Sequence, residues 1–319
     1  MQKAPSIEEI SKWLRSNDPL GSFAKGEFRI TDIDPKPYSG HFNFLLEVGV
    51  ERMVLRFKGP EWGDQKRGTR TEYEVLTYVE PYTVAPRPLY STGDFFGESA
   101  LLEEYVKGES IGNIYDDAAS IARFFSNIAR IPVKKGAAFF EEPMKSYERN
   151  RKTWKARLLV AAEESRAAVW STRIADELLP QAERMLDAFE PRLEKTINNY
   201  GETFIFESAH IGHLLKTSDG FRFLNWEQVS YGDPAFMLAV FLTSIKSRND
   251  FEVIKGKMLE AYPIKMPREE FETLVGERMK ERAVSNLIWG LWTHARKGEL
   301  DSQSVGKEFD EVMEILSTY

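Results

Sequence analysis

The chain of 319 residues contains no cysteine and only four histidines. Without thiols it can form no disulfide, carry no thiolate nucleophile and build no cysteine-zinc site, so any metal must be held by oxygen or imidazole ligands. Apolar runs approaching the roughly 18 residues of a membrane span are also missing. The opening MQKAPSIEEISKWL lacks the charged head and apolar stretch of a signal peptide. These absences are those expected of a cytoplasmic protein with no membrane partner. Positive charge is not in excess: the net charge is −7, and basic runs such as DQKRGTR and YERNRKTWKAR are short and interleaved with acids. No nucleic-acid partner is therefore expected. Low-complexity tracts and internal repeats are absent as well.

What is present is ordinary globular composition, 42% hydrophobic and 29% charged. Single cores stop growing at roughly 250 to 300 residues, so a chain of this length suits two lobes. SIEEISKWLRS opens with a capping box, Ser6 with Glu9 three residues on. Ile7, Ile10, Trp13 and Leu14 then recur at helical spacing and are expected to face inward. From Phe28 to Lys58 the pattern becomes alternation: FRITDI, HFNFLLEV and RMVLRFK, separated by PKPYSG and the tight GVE, predict an antiparallel meander. GTRTEYEVLTYVEP predicts one helix with Tyr73, Leu76 and Val79 inward, and ALLEEYV a buried strand.

Beyond Gly108 the periodicity is mainly helical. It breaks once, at TFIFESAHIGHLLKTSDGFRFLNWEQ, where TSDG predicts a turn between two short strands. A late helix carries the stripe Phe271, Leu274, Val275, Met279, Val284, Leu287, Ile288 and Leu291, which predicts a core face. The expectation is an N-terminal lobe over residues 1–107, with a leading helix, an antiparallel sheet and one helix. A helical lobe over residues 108–319 follows, containing the hairpin region 204–227.

Two of the four histidines fall in ESAHIGHLLK. A metal pair at His210 and His213 lacks obvious further ligands nearby, and Gly212 between them argues for a loop. A hydrolase triad on Ser208 lacks the Gly-x-Ser-x-Gly elbow, with Phe206 and His210 in place of the glycines. The plain alternative is that Phe206, Leu214, Leu224 and Trp226 pack the hairpin while both histidines are polar loop residues.

The order of elements says more. A sheet with one helix, a crossing segment and a helical half containing a loop and hairpin that end in LNWEQ and GDPA resembles the aminoglycoside phosphotransferase and choline kinase family. The resemblance runs from Phe28 to about Ser247. It implies an α+β, protein-kinase-like two-lobed fold, with a small antiparallel-sheet N-lobe and a larger helical C-lobe. In that family's terms SGHFNFLLEV is similar to the nucleotide-covering loop and strand, with Gly40 and Asn43 at the turn. RMVLRF resembles the strand whose cation pairs the phosphates, placing Arg56 there with Lys58 next on the same face. Glu72 matches the helix glutamate that holds the cation. LLEEYVKGE is similar to the hinge, where the backbone of Glu104 and Val106 would bond adenine.

The family's catalytic loop reads His-Gly-Asp and, five residues later, Asn; its metal loop reads Ile-Asp-Trp. Here the corresponding residues are Phe206, Glu207, Ser208 and His213, then Leu224, Asn225 and Trp226. Serine is a very poor base, and a positioned base contributes about 10²- to 10⁴-fold. Asn225 offers Mg²⁺ one neutral oxygen where the family has a carboxylate. Met237 stands where an acid usually props the loop, while Asp233 of GDPA remains. The resemblance thus implies ATP and Mg²⁺ as the cofactors to expect, with metal binding weakened or absent. His213, Asn225 and Glu227 are the candidate ligands, and Glu207 is the candidate replacement base beside Ser208. Two expectations follow: a pseudokinase binding a nucleotide or small ligand or meeting a protein partner, or an active phosphotransferase on a small hydroxylated substrate.

Overall fold

The computed structural model of the chain describes residues 4–33, 40–59, 68–140 and 146–317. In chain order its main elements are α1 (Ile7–Asn17), β1 (Phe28–Asp32), β2 (His41–Val48), β3 (Glu51–Lys58), α2 (Thr69–Val79), β4 (Pro88–Phe95), β5 (Glu98–Glu104), β6 (Glu109–Ser110), α3 (Ile114–Ala129), α4 (Ser146–Ala161), α5 (Ser165–Arg173), α6 (Leu179–Tyr200), β7 (Thr203–Phe206), β8 (Leu214–Thr217), β9 (Gly220–Phe223), β10 (Val229–Gly232), α7 (Phe236–Ser244), α8 (Phe251–Ala261), α9 (Arg268–Lys297) and α10 (Ser302–Leu316). They gather into two compact units. The first comprises Met1–Asn113, Gly136–Phe140 and Gly212–Val229; the second comprises Ile114–Lys135, Glu141–Ile211 and Ser230–Tyr319. Compactness thus groups separated segments, whereas sequence periodicity divides the chain once, near residue 108. The hairpin β8–β9 clusters with the sheet-bearing unit.

In the first unit, α1 begins with the capping box that its sequence encodes: Glu9 N–H donates to Ser6 Oγ at 3.2 Å, and Ser6 N–H donates to Glu9 Oε2 at 2.7 Å. Only Ile10 and Leu14 of the four expected inward residues are fully buried, and Ile7 is exposed. The helix meets the sheet along one turn-spaced line rather than along the wider stripe. The sheet has the order β1-β2-β3-β5-β4, with antiparallel neighbours. In such a ladder directly opposed residues share a face. Phe44 opposes Leu55, Leu46 opposes Met53, and Leu102 opposes Leu55, so these residues line one side. That side forms a core with Ile10, Leu14, Phe23, Phe57 and Phe95. Burying such side chains is worth about 1.5–3 kcal/mol each.

β4 has no counterpart in the periodicity analysis. It is an edge strand, largely half-buried along PLYSTGDF, and so shows no clean alternation to detect. On α2, Leu76 and Val79 are buried as expected, but Tyr73 is only half-buried. Val75 and the wholly buried Glu72 complete the inner stripe instead. The TSDG turn joins β8 to β9 with Thr217 opposite Gly220, and β8 also pairs with β6.

The second unit is helical apart from β7 and β10, which pair. The helical stretch that opens with α4 is not continuous, because Glu164 caps a new helix, α5, by accepting from Ala167 N–H at 2.9 Å. A π-helical turn, Ile174–Leu178, leads from α5 into α6. The predicted core face of α9 is buried at Phe271, Leu274, Val275, Val284, Leu287, Ile288 and Leu291, but Met279 is only half-buried. Its neighbours Glu277, Arg278 and Glu281 are buried in its stead. Arg278 donates to Asp233 Oδ2 from Nη2 at 2.7 Å and from Nε at 3.1 Å, and it also pairs with Glu281. The retained aspartate of GDPA is thus the anchor of a buried ion network. Among the described residues no helix is long and apolar enough to cross a membrane.

Candidate functional site

The face of the sheet opposite the α1 core is polar. Arg56 opposes Asn43 across β2 and Leu101 across β5, while Glu103 opposes Val54, two places along the same face. His41, two residues before Asn43, shares that face. Helix α2 presents Glu72 to it: Arg56 Nη1 lies 3.1 Å from Glu72 Oε1 and 3.6 Å from Glu103 Oε1. Arg56 Nη2 donates to Asn225 Oδ1 at 2.8 Å and faces His41 Nδ1 at 3.2 Å. Asn225 reaches it from a left-handed backbone conformation, φ 65°, which asparagine tolerates better than most residues. The adjacent Trp226 N–H donates to Glu72 Oε1 at 2.8 Å. One carboxylate oxygen thus joins strand β3, helix α2 and the 224–227 segment.

The charges follow from burial. Desolvation by itself would lower the Arg56 pKa, but Glu72 and Glu103 outweigh it and hold the guanidinium more firmly protonated than usual. For Glu103 the balance is opposite: burial pushes its carboxyl up to about 8, Arg56 opposes this and Glu72 adds to it. The guanidinium lies closer to Glu72, and one cation cannot compensate two buried carboxylates, so the proton belongs on Glu103. His41 is driven down to about 3, first by burial and then by Arg56. Neutral His41 facing an Arg56 donor through Nδ1 must carry its proton on Nε2, and Nε2 lies 3.5 Å from Glu227 Oε2.

The donor set bears on a metal. The single amide oxygen of Asn225 is committed to Arg56, and Glu227 sits against His41. Among the described residues no group of three or more histidine, aspartate or glutamate side chains is arranged to hold an ion. His213 is linked to this segment through its carbonyl, which accepts from Leu224 N–H at 2.9 Å. These residues do not fit a Mg²⁺ site, which wants several carboxylate or phosphate oxygens.

Other expected positions fall as follows. Gly40 carbonyl accepts from Gly59 N–H at 3.1 Å, tying the start of β2 to the end of β3. The residues of PKPYSG before Gly40, 35–39, lie outside the described residues. Lys58, opposite His41, borders a cavity of about 450 Å³ lined also by Phe42, Phe57, Phe95, Phe96 and Glu98. Glu104 N–H is used by Arg87 O at 2.9 Å. Val106, half-buried just beyond β5, makes no backbone hydrogen bond among the described residues.

In the second unit, Glu207 and Ser208 are half-buried after β7. Ser208 carbonyl accepts from His210 N–H at 2.8 Å, and Ser244 Oγ of α7 accepts from Ile211 N–H at 3.1 Å. Met237 is buried in the apolar helix α7, so a hydroxyl further along that helix steadies the loop. Burial and then Arg282 lower the pKa of His210.

His41, Glu103 and Ser244 escaped the sequence reading. The first had a signal, since His41 shares strand parity with Asn43; Glu103 stands beside a second acid, Glu104, with no local cue to which turns inward. Ser244 had none.

The family model described as "Phosphotransferase enzyme family" (APH) matches residues 36–265. No curated protein matches. Among solved structures, choline kinase LicA from Streptococcus pneumoniae superimposes with a TM-score of 0.66 at 12% identity, covering 98% of this chain and 99% of that one. The choline kinase from Cryptosporidium parvum Iowa II gives 0.66 at 14% identity, with 98% and 96% covered. Spectinomycin phosphotransferase APH(9)-Ia, in complex with ADP and spectinomycin, gives 0.66 at 10% identity, with 98% of each chain covered. At these identities the likeness is one of fold, and the class is kinase-like.

Proposed function

The chain belongs to the phosphotransferase enzyme family, and from that premise we propose that it is a degenerate member, a pseudokinase, binding a nucleotide or another small ligand in the cytoplasm without phosphoryl transfer. The observation that carries this reading is the 2.8 Å hydrogen bond from Arg56 to Asn225 Oδ1. It turns the amide oxygen, which would have to face a metal, onto the cation that would have to face phosphates. Ser208 supplies no carboxylate to take a proton from an acceptor hydroxyl. A kinase site lacking both the base and the metal ligand loses the groups that act together in the transition state.

A second reading, an active ATP-dependent phosphotransferase on a small-molecule hydroxyl with altered metal chemistry, draws on the retained Arg56–Glu72 pair at 3.1 Å. Relatives whose structures hold AMP, or ADP with spectinomycin, make a small-molecule ligand the first class to test.

Thermal melting with ATP, with and without Mg²⁺, separates the two readings. A ligand at 100 times its dissociation constant stabilises by about 2.7 kcal/mol. The degenerate reading expects a shift that Mg²⁺ does not enlarge, and no ATP turnover. A Mg²⁺-dependent shift accompanied by turnover would establish the second reading. The double variant Ser208→Asp, Asn225→Asp serves as the control for regained chemistry.

A further inference from the structure

The opposite face of the same sheet borders a cavity. Phe42 and Phe57 oppose each other across β2 and β3, one place along from Asn43 and Arg56, and so stand on the other side. Between them and the start of α1 lies the space of about 450 Å³ that Lys58 borders, within the roughly 300–1,000 Å³ typical of small-molecule sites. Its apolar walls are Ala4, Pro5 and the rings of Phe42, Phe57, Phe95 and Phe96. Its charged groups are Lys58, Glu9 and Glu98. The Phe57 ring centre lies 5.4 Å from that of Phe42 and 4.9 Å from that of Phe95, and Phe96 meets Phe95 edge-on at 4.8 Å. Phe96 is the unusual member. Phe95 and Glu98 pair where β4 meets β5, so Phe96 and Gly97 form a two-residue turn, both with positive φ, 55° and 83°. That geometry suits Asn-Gly or Asp-Gly, whereas a bulky side chain there is a backbone outlier. Phe96 is nevertheless held in it while 47% exposed. Strain kept at such a position points to a use for the ring beyond covering Phe95.

We propose that this cavity binds a free aromatic amino acid or a zwitterion of the same shape. Four phenylalanines take a further aromatic ring in the tilted and edge-on arrangements that they already use among themselves. The border carries both signs of charge. Lys58 suits a carboxylate, and because Glu9 Oε2 already accepts from Ser6 N–H at 2.7 Å, the half-buried Glu98 is the acid assigned to the ammonium. A wholly apolar ligand would cover these charges without answering them, and a ligand of one sign would answer only one of them. The site lies on the face away from Arg56, so the proposal stands apart from the nucleotide reading.

The test is isothermal titration of the full chain with L-phenylalanine, L-tyrosine and L-tryptophan. The controls are 2-phenylethylamine, which lacks the carboxylate, 3-phenylpropionate, which lacks the ammonium, and L-alanine, which lacks the ring. At least one aromatic amino acid is expected to bind, with each control weaker by about 10-fold or more. No binding of any of the three at millimolar concentration, or equal affinity for the one-charge controls, overturns the proposal. Phe96→Asn gives the turn a residue that it favours, so this variant should melt no lower than wild type while binding the amino acid about 10-fold more weakly. If it melts lower and binds as wild type does, the ring only covers the core and the proposal falls. Glu98→Gln should weaken the amino acid and 2-phenylethylamine but spare 3-phenylpropionate, and Lys58→Met should weaken the amino acid and 3-phenylpropionate but spare the amine. Unchanged preferences in both variants overturn the charge assignment and the zwitterion class with it.

Discussion

Glu103→Gln should remove one specific component of the pH dependence of stability. The folded-state Glu103 pKa is raised from 4.5 to about 8 by burial, with Arg56 opposing and Glu72 adding. A carboxyl that holds its proton in the folded chain and releases it in the unfolded one contributes stability that is full below pH 4.5. That contribution is lost as pH rises through 8, at up to about 1.4 kcal/mol per pH unit for one proton. His41 works the other way: with its pKa lowered from 6.5 to about 3, its contribution is present above 6.5 and lost as pH falls through 3. The two slopes oppose each other between 4.5 and 6.5, and only Glu103 acts between 6.5 and 8. Over that last window wild type should lose on the order of 2 kcal/mol relative to Glu103→Gln. The groups facing Glu103 are Arg56 of β3 and Glu72 of α2. Urea unfolding of both proteins at intervals from pH 6.5 to 8.5 measures the difference, and isotope-edited infrared spectroscopy of the glutamate carboxyl reads the proton directly. Parallel stability lines, or an ionised Glu103 at neutral pH, would refute the argument that the guanidinium belongs to Glu72.

Three further outcomes are expected. Arg278→Ala leaves Asp233 and Glu281 buried and uncompensated, at a cost of about 3–5 kcal/mol in chemical denaturation, and Arg278→Lys should recover only part because an ammonium cannot bond bidentately. Gly108→Ala would set its new Cβ 2.9 Å from Lys216 O and 3.1 Å from Leu215 Cβ; it should cost about 1–3 kcal/mol and speed hydrogen exchange of the amides in β8. Asn225→Asp alone should give no Mg²⁺-dependent melting shift with ATP, since the new carboxylate would fall to Arg56, 2.8 Å from the present amide oxygen.

Much of the architecture was legible because it is local. The capping box of α1, the alternation of β2 and β3 and the TSDG turn each encode their element within a few residues. What escaped is what only pairing decides. Two acids stand side by side at the end of β5, and nothing local says which turns inward; the register that sets Leu101 against Arg56 buries Glu103 and exposes Glu104. The same holds on α9, where an apolar stripe predicted core, yet Arg278 and Glu281 are inside because Asp233, far back in the sequence, is there to meet Arg278. The pairing of Arg56 with Glu72 could be anticipated from strand parity and helix register, but its third and fourth partners could not. Those partners change what the pair can do. In isolation an arginine held by a glutamate is a phosphate seat awaiting its ligand. With Glu103, His41 and Asn225 added, both Nη atoms of the same arginine already face partners within the protein.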